Sequence, residues 1–416
     1  MEATELLVAL DMLMAERSSP CPCPNPHLFL SRDAIQDQDT LPEVAIMSLR
    51  ADRLWRPVSS VLAPEWFTTH RTLLGSGGLV VVLFLLPLLL SPYDLLVLSY
   101  ALVFAIACMG LNLLLGYTGL VSLGHAAYFG VGAYAGGFLY AFSPIQSLEL
   151  FLASGVLAAA ALAVVFGFLC VRATRIHFAI LTLAFAQMVH SLFISGIIFR
   201  PFGGVGRGLF LLGGGGLYIP RLTIIGIEFT PSVFHTAFYG VIVIAFGVCV
   251  LLMWRIVHSP FGQALQAIRD NETRAVCIGI RVARYRWCAF IISGIFTGLA
   301  GGLYGQLDRQ VTPEQLHWLF STKLVLATVL GGSRYFLGPV VGAFAFVAIQ
   351  DIAVRFTLYR GLVFGLMLVA VVLASPGGLV GGAAEIYRRT HRLVAVVVHH
   401  LRRRTGGRKK AGLAKR

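Results

Sequence analysis

Apolar residues run through this chain in long blocks, not in the alternation of a half-buried strand or the narrow stripe of a water-facing helix. Ten blocks stand out, at roughly 74–91, 93–115, 120–141, 149–170, 176–199, 232–254, 285–307, 318–332, 335–356 and 361–376. A helix needs about 20 apolar residues to cross the hydrocarbon of a bilayer. The pattern therefore predicts an all-α, polytopic transmembrane bundle of about ten spans. Two blocks are irregular. Gly116-Tyr-Thr-Gly119 interrupts the chain before the third, and the eighth is short and ends in Gly331-Gly332.

Composition narrows the class further. Only 12% of the 416 residues are charged and 57% are hydrophobic, against roughly 25% charged in soluble domains. Mean hydropathy is +0.81. These values exclude a soluble enzyme, a disordered chain and a disulfide scaffold. The 45 glycines fit close helix contacts in lipid, where small residues let backbones approach. Gly294, Gly298 and Gly302 repeat at helical spacing in the seventh block, Gly338 and Gly342 in the ninth, and Gly361 and Gly365 in the tenth.

The net charge of +14 raises the possibility of nucleic acid, but the placement of the charges argues for membrane lipid. Eleven of the 33 Lys and Arg lie between Arg388 and Arg416, and six Arg lie between Arg255 and Arg286. Basic blocks beside spans mark cytoplasmic loops, and a basic tail is drawn to anionic headgroups. With the 255–286 loop inside, alternation also puts Arg172 and Arg175, the Arg50–Arg71 cluster and the tail inside. Both termini are then expected in the cytoplasm. The 200–231 loop falls outside despite Arg200, Arg207 and Arg221.

The expected organisation has three parts: an N-terminal cytoplasmic extension, 1–73; a membrane domain, 74–380, with a cytoplasmic loop at 255–284; and a basic tail, 381–416. Residues 1–46 are Pro-rich and read as disordered or untranslated, with Met47 an alternative start to Met1. The block Leu6–Leu13 follows acids and is interrupted by Asp11, which is wrong for a signal peptide. Cys21 and Cys23 form a C-x-C without a second pair, short of the usual four metal ligands.

No catalytic constellation emerges. There is no Walker-type phosphate loop, and Gly203–Gly208 does not open a helix after a strand. His125, His177 and His190 lack the spacing of a metal site, so neither a metal nor an intramembrane enzyme is expected. An ion-driven transporter would carry acids within its spans, and the apolar cores contain almost none.

The most informative segment is His258–Arg281. Pro260 suits the first turn of a helix, and Ala264, Leu265, Ala267 and Ile268 follow with helical spacing. Asp270 and Asn271 offer a cap for a second short helix carrying Glu272, Ala275 and Val276, which Gly279 ends. A simple connecting loop does not need this order unless something docks on it. A second cluster, Asn112, Tyr117, Thr118, Ser122 and His125, brings polar groups into the interrupted third block. It reads either as a lining of the substrate pathway, as in the broken helices of transporters, or as hydrogen bonding between helices.

The 258–281 segment resembles the coupling loop of ABC-importer permeases, with Glu272, Ala275 and Gly279 in the places of its E-A-A-type pattern, although Thr273 and Arg274 replace small residues. Ser259-Pro-Phe-Gly262 and Ala267-Ile-Arg-Asp-Asn-Glu272 are closer to the LivM-like branched-chain amino-acid permeases. So are Gly110–Tyr134, Phe290–Tyr304 and Leu330–Ala343. The resemblance covers about 75–380. It implies a bacterial inner-membrane permease without a cofactor of its own, ATP being bound by two cytoplasmic ATPase subunits. It also implies a second homologous permease and a periplasmic or extracellular substrate-binding protein. Glu272, Ala275 and Gly279 would form the ATPase contact, with Arg269, Arg274 and Arg281 at its rim. A urea or short-chain amide permease of the same superfamily is the alternative. Lys323 stands in the eighth block where such permeases carry an acid, and is expected to face protein, water or the interface.

Overall fold

The protein is described by a computed structural model, which defines residues 90–142, 147–173, 175–195, 211–212, 216–223 and 231–356, with short pieces at 86–88, 361–363, 365–366, 369 and 377–382. The expectations for 1–73, Met47, the Gly203–Gly208 loop and the basic tail, and most of those for the first and tenth blocks, lie outside the described residues.

Ten helices account for nearly all of the described regular structure. They are α1 (Pro92–Leu115), α2 (His125–Phe142), α3 (Leu148–Cys170), α4 (Arg175–Ile194), α5 (Pro231–Val257), α6 (Pro260–Asp270), α7 (Glu272–Cys277), α8 (Val282–Asp308), α9 (Trp318–Gly331) and α10 (Gly338–Phe356). Six of them are long and apolar enough to cross a membrane: α1, α3, α4, α5, α8 and α10. α9 is apolar but shorter. Leu157, Ile176, Ile180 and Ile244 are exposed, as expected of side chains that face lipid.

The helix ends follow local chemistry. Ser91 caps α1, its hydroxyl accepting from Asp94 N–H at 3.3 Å, and Pro92 follows at the first turn. α1 stops at Gly116, and the chain runs without helix to Gly124 before α2 begins at His125. The third block thus starts later than its hydrophobicity suggests, because Gly119 takes a positive φ of 73° that no continuing helix contains.

The chain divides into two compact units. Of the described residues, one contains those from 86 to Asp270 and from Ala283 onward, and the other contains Asn271–Val282. In the first, α2, α3 and α8 meet through small residues. A Cβ added to Gly298 would run into that of Ala159, and one added to Gly294 would come within 2.6 Å of that of Ala163. Gly132 and Gly155 also touch backbone across this seam. A second seam joins α9 and α10, where Gly342 lies against Ala327 and Gly331. Helix association in lipid relies on such close packing, since lipid tails are as apolar as leucine. Gly361 and Gly365 differ: nothing lies within 4 Å of a Cβ built at either. Their spacing makes no packing seam with the described residues.

A small antiparallel sheet joins the loop after α4 to the loop after α8. β1 (Leu211–Leu212) pairs with β2 (Gly216–Tyr218), and β2 with β3 (Gln310–Val311). Leu217 and Val311 are partners in this register and both are buried. The all-α expectation holds for the spans, with this ribbon added to a connecting loop.

The α2–α3–α8 seam gives a direct test. Gly298→Val introduces branches where backbone already touches. Overpacking costs about 1–3 kcal/mol. The thermal midpoint of the purified protein in detergent is expected to fall, while Gly361→Val leaves it unchanged.

Candidate functional site: the break between α1 and α2 and the α6–α7 segment

A non-helical stretch inside a bundle must find partners for its backbone groups, because hydrocarbon offers none. The residues around 116–126 do this with side chains drawn from distant helices. Thr118 Oγ1 donates back to Leu114 O at 2.7 Å. Leu123 N–H donates to Thr182 Oγ1 of α4 at 3.2 Å. Ala126 N–H donates to Ser321 Oγ of α9 at 2.7 Å.

His125 sits at the centre, fully buried. Ser293 Oγ of α8 donates its hydrogen to Gly110 O at 2.6 Å. It must therefore accept from His125 Nε2, which lies 2.6 Å away. In a neutral imidazole Nδ1 is then the acceptor, and Ser122 Oγ donates to it across 3.0 Å. One chain of hydrogen bonds thus joins the break, α8 and the carbonyl of Gly110 in α1.

Asn112 is also buried, and its Oδ1 has no hydrogen-bond partner among the described residues. Its carbonyl accepts from Gly116 N–H at 2.7 Å and from Tyr117 N–H at 3.3 Å. Tyr117 is half-buried and packs against the core. The five polar residues singled out in the sequence therefore share one region, held largely by hydrogen bonds within this chain. Thr182, Ser293 and Ser321 belong to the same network. Their only signal in the sequence was a hydroxyl inside an apolar helix.

α6 begins as Pro260 predicts. Ser259 precedes it, and its Oγ accepts from Gly262 N–H at 3.4 Å. Gly262, Leu265 and Ile268 form the buried face. A Cβ on Gly262 would strike Val257 O, so glycine permits the tight turn from α5 into α6. Arg269, expected at a rim, instead points inward. Its Nη1 donates to Gly116 O, the carbonyl at the start of the break. Its Cγ lies 3.3 Å from the position a Cβ on Gly119 would occupy. An arginine one helical turn from the end of a connecting loop gives no sign in the sequence that it will turn toward the bundle.

In the other unit, Asn271 caps α7, its Oδ1 accepting from Arg274 N–H at 3.0 Å. The far end closes with paired bonds: Gly279 N–H to Val276 O at 2.9 Å and Ile280 N–H to Ala275 O at 3.0 Å. This is the Schellman arrangement, which needs a left-handed residue after the helix. Gly279 supplies it with φ of 87°, and open space surrounds its α-carbon. Glycine is needed there for the turn and not for a close contact within the chain. Ala275 is buried, Glu272 is half-buried, and Arg274, Val276 and Ile278 are exposed. The outward face of α7 thus combines charge with apolar side chains.

Near the first turn of α1, a cavity of about 580 Å³ is lined by residues of α1, α8, α9 and α10. Lys323 lines it. None of Asn112, Tyr117, Thr118, Ser122 or His125 does. A lysine at the centre of a lipid-facing span costs about 2.5–3.5 kcal/mol on insertion scales, so an ammonium lining a partly polar cavity is the better-solvated arrangement. Among the described residues no group of three His, Cys, Asp or Glu is placed to hold a metal ion.

Six helices long and apolar enough to cross a membrane make this a multi-pass membrane protein. The sequence profile of the branched-chain amino acid transport system permease component matches residues 95–372, and the chain belongs to that family. It is 26% identical over 322 residues to the high-affinity branched-chain amino acid transport system permease protein LivM of Salmonella typhimurium, covering 73% of each chain. It is 26% identical over 301 residues to LivM of Escherichia coli, covering 68% of each. The autoinducer 2 import system permease protein LsrC of Klebsiella pneumoniae is 30% identical over 182 residues, 41% of this chain and 52% of that one. No solved structure matches the chain. The protein is a membrane permease component of an ABC importer, from a family of transport proteins and not of enzymes. Such a component works with ATPase and substrate-binding partners.

The hydrogen-bond chain through His125 can be tested by a double-mutant cycle. His125→Phe and Ser293→Ala each remove one member, and a net hydrogen bond contributes about 0.5–1.5 kcal/mol. Their effects on thermal stability are expected to be less than additive. Full additivity would mean the two side chains do not interact.

Proposed function

We propose that the protein imports branched-chain or other hydrophobic amino acids across a bacterial cytoplasmic membrane. On this reading it pairs with a second, homologous permease. Two cytoplasmic ATPase subunits bind the side that carries α6 and α7, and an external binding protein delivers substrate to the other. Both termini then lie in the cytoplasm.

The observation that carries the coupling role is the contact between Arg269 of α6 and Gly116 O at the break. ATPase closure would press on the α7 surface that Glu272, Arg274 and Gly279 present, Ala275 being buried and not available for contact. A short helix seated in a groove passes such motion on as a rigid push. Asp270 is bonded directly to Asn271, so the push reaches α6 along the chain, and Arg269 carries it to 116–124, where the last helical hydrogen bond runs from Thr118 N–H to Leu114 O. Asn112, Tyr117, Thr118, Ser122 and His125 hold that segment and so shape the substrate pathway at its inner end. The family relationship supports amino acids as cargo. A urea or short-chain amide cargo would be revealed by the ligand of the delivering binding protein.

The test is ATP-dependent uptake of leucine into vesicles holding the full assembly. Arg269→Met keeps the aliphatic stem and removes the donor. A hydrogen bond from a charged group contributes about 1.5–3 kcal/mol, so uptake is expected to fall roughly tenfold or more while ATPase subunits still bind. Gly279→Ala forces a side chain into the left-handed region at a cost of about 1–2 kcal/mol, loosens the end of α7, and is expected to weaken ATPase binding itself. Undiminished uptake in both variants would contradict the coupling role.

A further inference from the structure

We propose that the cavity lined by Lys323 is a binding site for a zwitterionic amino acid, whose carboxylate meets Lys323 and whose ammonium meets Asp308. The proposal rests on the amino-acid cargo argued above and locates where this chain holds it.

The cavity's charges are the Lys323 ammonium and the carboxylates of Asp308, Glu314 and Asp351. Asp351 is already satisfied: Arg355 Nε lies 2.9 Å from its Oδ2, and Tyr93 OH donates to its Oδ1 at 2.6 Å. Lys323, by contrast, makes no ion pair with any described residue, although it is exposed to the cavity. Asp308 accepts from Tyr100 OH at 3.0 Å and forms no ion pair among the described residues. An ammonium and a carboxylate that face one cavity without neutralising each other match a ligand with one charge of each sign. The remaining wall is mixed: Leu96, Val97, Phe346 and Val347 are placed to receive an aliphatic side chain, beside Gln310, Thr312 and Gln315. Its volume of about 580 Å³ lies within the range of small-molecule sites, about 300–1,000 Å³. Gln350 adds a polar group, and the exposed Glu314 is a further carboxylate without an ion pair among the described residues.

The elements that build this site hold it firmly. Phe104 of α1 stacks on Phe346 of α10, with ring centres 5.4 Å apart, and Phe129 of α2 meets Phe320 of α9 at 4.5 Å and Tyr304 of α8 at 5.3 Å. The lysine and the aspartate therefore stand on helices packed by aromatic contacts, as a preorganised site requires.

Binding of radiolabelled leucine to the full chain in lipid nanodiscs, without the binding protein, tests the proposal. Leucine is expected to bind. Leucinamide, which lacks the carboxylate, and isocaproate, which lacks the ammonium, are expected to compete at least about tenfold less well than isoleucine. Lys323→Gln and Asp308→Asn are each expected to weaken leucine binding by about tenfold, with Lys323→Arg retaining it. If a variant fails to fold, the competition series on the unaltered chain still decides. Absence of leucine binding, equal competition by all three compounds, or unchanged affinity in Lys323→Gln would overturn the proposal. ATP-driven leucine uptake by the full assembly separates the two claims. Uptake without such binding removes only this site, whereas no uptake by the unaltered assembly removes the cargo assignment as well.

Discussion

Hydrocarbon cannot hydrogen-bond to a peptide group, and this constraint shapes the structure around residues 116–124. Wherever a helix is broken within a bundle, each freed N–H and C=O must be met by protein. Here the partners come from three directions: Arg269 of α6 for Gly116 O, Thr182 of α4 for Leu123 N–H and Ser321 of α9 for Ala126 N–H, while Ser293 of α8 holds the His125 side chain. The break is costly unless these side chains are in place, so its conformation is tied to the positions of the helices that supply them. A segment held in this way moves when its supports move. That property suits a coupling device better than a continuous helix, which would resist bending along its whole length.

The glycine seams complement this arrangement. Backbone contacts between α2, α3 and α8, and between α9 and α10, leave little freedom for sliding at those surfaces. The break is closely packed as well: a Cβ on Gly116 would strike Ser333 O, and one on Gly124 would come within 2.9 Å of Thr182 O. Glycine thus serves in two settings. Glycine removes a side chain at the seams, whereas it permits a left-handed backbone at Gly119 and Gly279.

Much of the fold was legible in the sequence because hydrophobic block length is a direct reading of bilayer thickness. Helices α3, α8 and α9 begin and end within a few residues of their blocks, and Asn271 and Gly279 bound α7 where cap chemistry placed them. Other features were hidden because they depend on contacts between distant residues. Arg269 looks like a rim charge until α6 is laid against the break. Ala275 reads as a contact residue for a partner, yet it is buried within the chain. The ribbon pairing Leu217 with Val311 encloses all of α5 to α8 in sequence, and no local pattern announces it. The cavity at Lys323 draws on helices from both ends of the described chain, so a single lysine in an apolar block was its only trace.

The central claim is that the break at 116–124 moves with the coupling helix. Hydrogen exchange of backbone amides in the assembled transporter, compared with and without bound ATP, tests it most directly. The account predicts that amides of 116–124 change their exchange together with those of 260–270, and that this joint change is lost when Arg269 is replaced by methionine. A change confined to 260–270, with 116–124 unaltered by ATP in the native chain, would contradict it.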